Sequence, residues 1–303
     1  MKGRPVRFLC ALCLLALTGC SLDRLATQTM AGLISGGGSD TVMAGDDDPE
    51  LVAQALPFTL KLHELLLTEL PDDPALLLAT GRGFVVYAAS FIQRPAERLP
   101  DREIELRIAQ LTRAKIHYLR AREYLLTGLE LRHPGFRELL SSGDVTAALA
   151  LVDTSSIDYL YWLGTAWLGA TSTDPTDVAL VADVLRAGAL LEQVAAWDSE
   201  YSGGAVHDVL ITYYTALPEY LGGGVQPARH HFELAVAAAG GARARPYVAM
   251  ATATILDQDA AQFRALLEQA LAVTMEVPEY RLQNALDHEH AAWMLEHMED
   301  FFL

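Results

Sequence analysis

From Leu51 to Phe302 the apolar residues recur at spacings of three and four, and no stretch alternates convincingly with a period of two. That pattern builds amphipathic helices and argues against a sheet. Breakers divide the run. Pro71-Asp72-Asp73-Pro74 ends a helix over residues 51–70, and a second over 75–93 is apolar on most sides, so it reads as buried. A long helix over 103–132 stops at His133-Pro134-Gly135. Two short helices or turns follow in 136–150, then helices over 157–170 and from Asp174-Pro175 to Trp197. A helix over 203–217 ends at Pro218 and Gly222-Gly223-Gly224, a turn that glycine can close. Helices over 227–239, 246–256, 260–275 and 281–302 complete the set. With 51% hydrophobic residues, the chain can bury a sizeable core.

The helices come in pairs, which points to repeats. Leu160-x2-Leu163-Gly164-x2-Trp167 approximates the first helix of a tetratricopeptide hairpin. Ala228-x3-Phe232-x2-Ala235 and Ala114-x3-Tyr118-x2-Ala121 fit the second, and Ala187-x3-Leu191-x2-Val194 fits more weakly. Small residues at these positions let two helices approach closely while the large one fills the groove between hairpins. The expected fold is all-α, an α-α superhelix of about four degenerate tetratricopeptide-like hairpins with a C-terminal capping helix. A plain helical bundle is the alternative.

The N-terminus reads separately. Lys2, Arg4 and Arg7 form a basic start, Phe8 to Leu17 is apolar, and Leu17-Thr18-Gly19-Cys20 follows. The apolar run is too short for a bilayer that needs roughly 20 residues, so 1–19 reads as a signal peptide. The Leu-Thr-Gly-Cys ending is that of a lipoprotein signal, with Cys20 taking a diacylglycerol. Ser21 after it favours the outer membrane. Residues 20–50 then form a lipidated cysteine and flexible tether, with Gly36-Gly37-Gly38-Ser39 inside it, and 51–303 form the helical domain. Asp46-Asp47-Asp48-Pro49-Glu50 suits the cap of the first domain helix. Cys10 and Cys13 leave with the signal, so no disulfide, zinc cluster or thiol nucleophile remains. The net charge of −17 grows more negative without Lys2, Arg4 and Arg7, which excludes nucleic acid as a partner.

Several strings go beyond a repeat pattern. Asp46-Asp47-Asp48-Pro49-Glu50-Leu51-Val52, Ala55-Leu56-Pro57-Phe58, Leu76-Leu77-Leu78-Ala79-Thr80-Gly81, Phe84 and Tyr87 occur in order. Ala114-Lys115-x2-Tyr118-Leu119-Arg120-Ala121-Arg122-x-Tyr124, Tyr161-Trp162-x-Gly164-x-Ala166-Trp167, and His207 through Pro218 with Gly222-Gly223 and His231-Phe232 continue them. In this the chain resembles the T-component (TatT) family of tripartite ATP-independent periplasmic (TRAP) transporters, over nearly all of its length past the signal. The resemblance implies a lipid-anchored periplasmic protein with cryptic tetratricopeptide repeats. It implies self-association, partnership with the solute-binding protein of a TRAP system, and a cavity suited to a hydrophobic or amphipathic solute.

Catalytic constellations are missing from the sequence. His63-Glu64 has no second histidine four residues on, and His230-His231 and His288-Glu289-His290 aim at different helix faces. Gly81-x-Gly83 lies inside a helix with no strand before it. No enzyme, metal or cofactor is expected. The aromatic residues are the better candidates. Phe84, Tyr87 and Phe91 share one helix face, Tyr118 and Tyr124 lie on the next long helix, and Trp162, Trp167, Tyr213 and Tyr214 follow. Such residues can wall a groove for an apolar ligand, or they can be core between hairpins. Two functions remain open: an accessory component that docks a solute-binding protein and holds a solute, or an envelope adaptor that binds protein alone.

Overall fold

The computed structural model describes residues 26–302. Residues 1–19, expected as a signal peptide, and Cys20 lie outside the described residues. Among those described, every regular element is helical.

Aspartate and proline start the helices. Asp48 accepts hydrogen bonds from the amides of Glu50 and Leu51 at 3.1 and 3.0 Å, with Pro49 in the first turn of α3 (Pro49–Glu69). Asp73 does the same for Leu76 at 3.0 Å, with Pro74 opening α4 (Pro74–Ala88). A carboxylate there satisfies orphan amides and meets the positive end of the helix. Asp144 starts α8 (Val145–Ala150), after α7 (Phe136–Ser142), and Asp259 starts α15 (Ala260–Leu271) in the same way. Part of the chain's acidity is therefore structural.

The stretch expected as a tether carries helix as well, α1 over residues 26–35 and α2 (Gly37–Ala44). Helix α4 does not end at Gln93. It passes through a π-helical turn, Ala89–Gln93, into α5 (Arg94–Glu97). This run is long and apolar enough to cross a membrane, and more than half of it is buried inside the protein, as a core helix would be. Asp174-Pro175 makes a turn instead of starting a helix. Asp174 accepts from Thr176, Asp177 caps α10 (Val178–Ala182), and Lys115 Nζ binds both carboxylates at 2.9 and 2.6 Å. Helix α11 (Val184–Trp197) resumes beyond a break at Asp183. Gly222 is left-handed, and Gly223 lies so close to the Leu217 carbonyl that only glycine fits, which makes the triple glycine a tight connection.

The remaining helices are α6 (Ile104–Arg132), α9 (Ile157–Thr173), α12 (Tyr201–Ala216), α13 (Val225–Ala238), α14 (Arg245–Thr254) and α16 (Arg281–Glu296). From α3 onward the long helices pack on the next and often on the next but one: α4 on α6 and α9, α12 on α13 and α14, α14 on α15 and α16. Glycines set these approaches. A Cβ on Gly81 would meet Leu125 Cγ at 2.5 Å, and one on Gly164 would meet Leu191 Cγ at 2.8 Å and the Ala187 carbonyl at 3.1 Å. Gly128 seats Tyr159, Gly169 seats Tyr118, and Gly188 seats Tyr213.

The last helix returns to the first ones. Leu282 and Leu286 of α16 cluster with Val52 of α3 and with Phe91, and Arg281 donates to the Gly45 carbonyl at 3.0 Å. The stack therefore closes on itself.

Gly164→Ala should destabilise by about 1–3 kcal/mol, because the lost socket outweighs a helix-propensity gain of about 1 kcal/mol. Gly32→Ala, with nothing within 4 Å of the new methyl, should stabilise. Urea unfolding midpoints of the two variants must move in opposite directions.

Candidate functional site

The structure spreads the nine aromatic candidates over several helix interfaces. Phe84, Tyr87 and Tyr124 form one cluster between α4 and α6, around His117. Phe84 stacks on His117 at 5.5 Å and on Tyr124 at 6.0 Å, and Tyr87 meets His117 edge-on. Their polar tips are engaged: Tyr124 donates to Glu64 at 2.9 Å and Tyr87 accepts from Arg113 at 2.7 Å. Tyr118 and Trp167 lie between α6 and α9. Tyr118 donates to Gln93 at 2.7 Å, and Arg122 lies over Trp167. Trp162 meets Tyr161, which in turn meets Tyr201 of α12. Tyr213 and Tyr214 meet edge-on, and Tyr214 stacks on His231 of α13 and donates to Glu192 of α11. Phe91 stands at the closing seam. Phe84, Tyr118, Trp167 and Tyr213 are buried, whereas Tyr87, Phe91, Tyr124, Trp162 and Tyr214 are half-buried.

The seam holds a charge cluster that the sequence reading missed. Arg94, just past the π-helical turn, pairs with the fully buried Asp287 of α16 at 2.7 Å, and Arg245 approaches the same carboxylate at 3.6 Å. Gln283 donates to its other oxygen at 2.9 Å. Burial works to raise the Asp287 carboxyl, but Arg94 and Arg245 hold it below its ordinary range. Arg243 pairs with the buried Asp208 of α12, whose carboxyl burial pushes up to about 6 against the pull of both arginines, Arg243 and Arg245. Asn284 ties the α13–α14 loop to α16, accepting from the Ala244 amide and donating to the Ala242 carbonyl, each at 2.9 Å. Arg94 Nη1 and Asp208 Oδ1 are buried without a hydrogen-bond partner among the described residues. A donor and an acceptor thus stay open in one electrostatic cluster. Arg94 was the available signal: it is a charge inside the apolar α4–α5 run, and a buried charge needs a partner.

Histidines form a second polar chain. Ser199 Oγ lies 2.9 Å from His207 Nε2, and His207 Nδ1 lies 3.0 Å from His231 Nδ1. The order is serine, histidine, histidine, with His231 where a hydrolytic triad has a carboxylate. The Gly203 and Gly204 amides both bond the Glu200 carbonyl. Among the described residues no group of three His, Cys, Asp or Glu side chains is placed to hold a metal ion.

Comparison with known proteins gives the context. The family model described as TRAP transporter T-component matches residues 45–302. An uncharacterized protein of Treponema pallidum (strain Nichols) is 35% identical over 323 residues, covering 100% of both chains. The chain belongs to the TRAP transporter T-component family, an accessory component of a transport system and not an enzyme family.

Burial lowers four imidazoles well below their ordinary value: His63, His117 and His231 to about 4, and His290 to about 3, with Arg82 adding to it at His63. Their folded values lie below the unfolded one, so the unfolded chain binds more protons between those values. These imidazoles therefore lower stability as pH drops from about 6.5 towards 4, while Asp208, raised to about 6, works the other way over the lower part of that range. His63, with neither ring nitrogen partnered, accounts for up to about 3 kcal/mol of that loss. Thermal unfolding of His63→Leu across this range should show a shallower slope than the unsubstituted protein. Parallel slopes would contradict the assignment.

Proposed function

We propose that this T-component is a lipid-anchored protein of the periplasm that docks the solute-binding protein of its TRAP system and holds an apolar or amphipathic solute. One observation carries the reading: the family match runs across nearly the whole helical body, so the accessory role belongs to the full stack and not to one repeat. In this reading Cys20 carries the diacylglycerol and the outer membrane is the site of attachment. The helix pairs act as degenerate tetratricopeptide hairpins, and self-association follows the family.

In this reading a solute would touch the half-buried rings at one of these interfaces, such as Tyr87 and Tyr124 beside His117, and not all of the candidates at once. The dispersal of the aromatic residues over several interfaces favours a second reading, in which the protein is an adaptor and binds no small molecule.

Native mass spectrometry of the exported chain, purified with its TRAP solute-binding protein, separates the two. The first reading expects a complex that carries an apolar mass, lost on denaturation and lost in Tyr87→Ala with Trp162→Ala. The adaptor reading expects the complex without that mass. Absence of any complex would contradict both.

A further inference from the structure

Helix α1 over residues 26–35 is set against the body on one side only. Ala31, 1% exposed, packs among Leu66, Leu67, Leu70, Leu76 and Leu77, with Ile34 beside it. On the other side Met30 and Leu33 stand 51% and 74% exposed. No Asp, Glu, Lys, Arg or His occurs from Leu25 through Ser39, in a chain of net charge −17. An uncharged helix that exposes two large apolar side chains has no evident reason to face water.

Its place in the chain says what covers it. Cys20 precedes α1 by six residues, which fully extended reach at most roughly 20 Å. An acyl chain on Cys20 therefore holds α1 at the bilayer surface. We propose that α1 is a membrane-contacting foot, with Met30 and Leu33 seated in the headgroup and upper acyl region of the leaflet that holds the anchor. This rests on the reading of Cys20 as the lipidated residue. Because Ala31 and Ile34 fix α1 to α3 and α4, the foot would also set the orientation of the whole stack. Asp72 and Asp73, in the α3–α4 turn beside Gln28, are repelled by anionic lipid, so the surface fits a zwitterionic leaflet.

The test uses the exported, full mature protein in vesicles of phosphatidylethanolamine and phosphatidylcholine. Its intact mass first reports whether Cys20 carries acyl chains. Leu33→Cys is then the one free thiol and takes an environment-sensitive fluorophore. Val178→Cys, in α10, is the reference. Tyr159 at the start of α9 bonds the Pro74 carbonyl while Ser172 at its end bonds Gln93, so α10 lies a helix length from α1. The label at Leu33 should shift to the blue and lose about half its emission to nitroxide lipids, as expected roughly 5–10 Å into the interface. The label at Val178 should stay water-like. An acylated protein whose Leu33 label stays water-like overturns the foot and leaves the anchor standing. A protein without acyl chains overturns the anchor, and the foot with it.

Discussion

Close helix approach through glycine is the constraint on which this structure depends. After Cys20 the sequence has no cysteine, so the helical body must hold by packing. Large side chains from one helix enter gaps that glycines leave on its neighbour: Leu125 at Gly81, Tyr159 at Gly128, Tyr118 at Gly169, Leu191 at Gly164, Tyr213 at Gly188. Each socket fixes the rotation and spacing of two helices, since interiors are close-packed and do not tolerate an added methyl without movement. Repeated from α4 to α12, these fixed steps carry the chain round until α16 lies against α2 and α3. The Arg94–Asp287 pair forms at that meeting. A buried ion pair adds little net stability, but leaving either partner alone is costly, so the pair selects one closed arrangement.

The local structure was largely legible in the sequence. Of the small-large-small spacings predicted as interhelical contacts, Ala114, Tyr118 and Ala121 are buried, as are Ala187, Leu191 and Val194, whereas Phe232 between the buried Ala228 and Ala235 is half-buried. Asp48 with Pro49 caps α3 as the composition suggested. Closure was not legible, because periodicity reports which face of a helix is buried and not which distant helix covers it. The π-helical turn at Ala89–Gln93 was hidden for a related reason: none of its residues breaks a helix, and it lies just before Arg94, which pairs with Asp287. Asp174-Pro175 misled because it looks like a helix start, and the side chain of Lys115 turns it into a clasp. Phe84, Tyr87 and Phe91 share a face of one helical run, yet the partners of the aromatic candidates lie on different neighbours, so the set did not make one pocket.

For an accessory transport component this architecture has a consequence. A stack closed by buried charges presents fixed surfaces, suited to a partner that must dock in one orientation. The acidic exterior keeps the body off anionic surfaces, while α1 is uncharged. Arg281 at the start of α16 bonds Gly45 just past α2, which ties the last long helix to the segment ahead of α3. The seam meets the first turn of α3 at Val52, whereas α1 packs on the far end of that helix at Leu66, Leu67 and Leu70, so α3 spans the distance between them.

The central claim is closure, and crosslinking tests it most directly. Val52→Cys with Leu282→Cys, in a chain whose Cys10, Cys13 and Cys20 are all replaced by serine, should be joined by a short bis-maleimide within single molecules, giving one added linker mass and faster migration under denaturing conditions. Modification of both thiols without an intramolecular link would show that α16 does not return to α3 in solution, and would contradict the account.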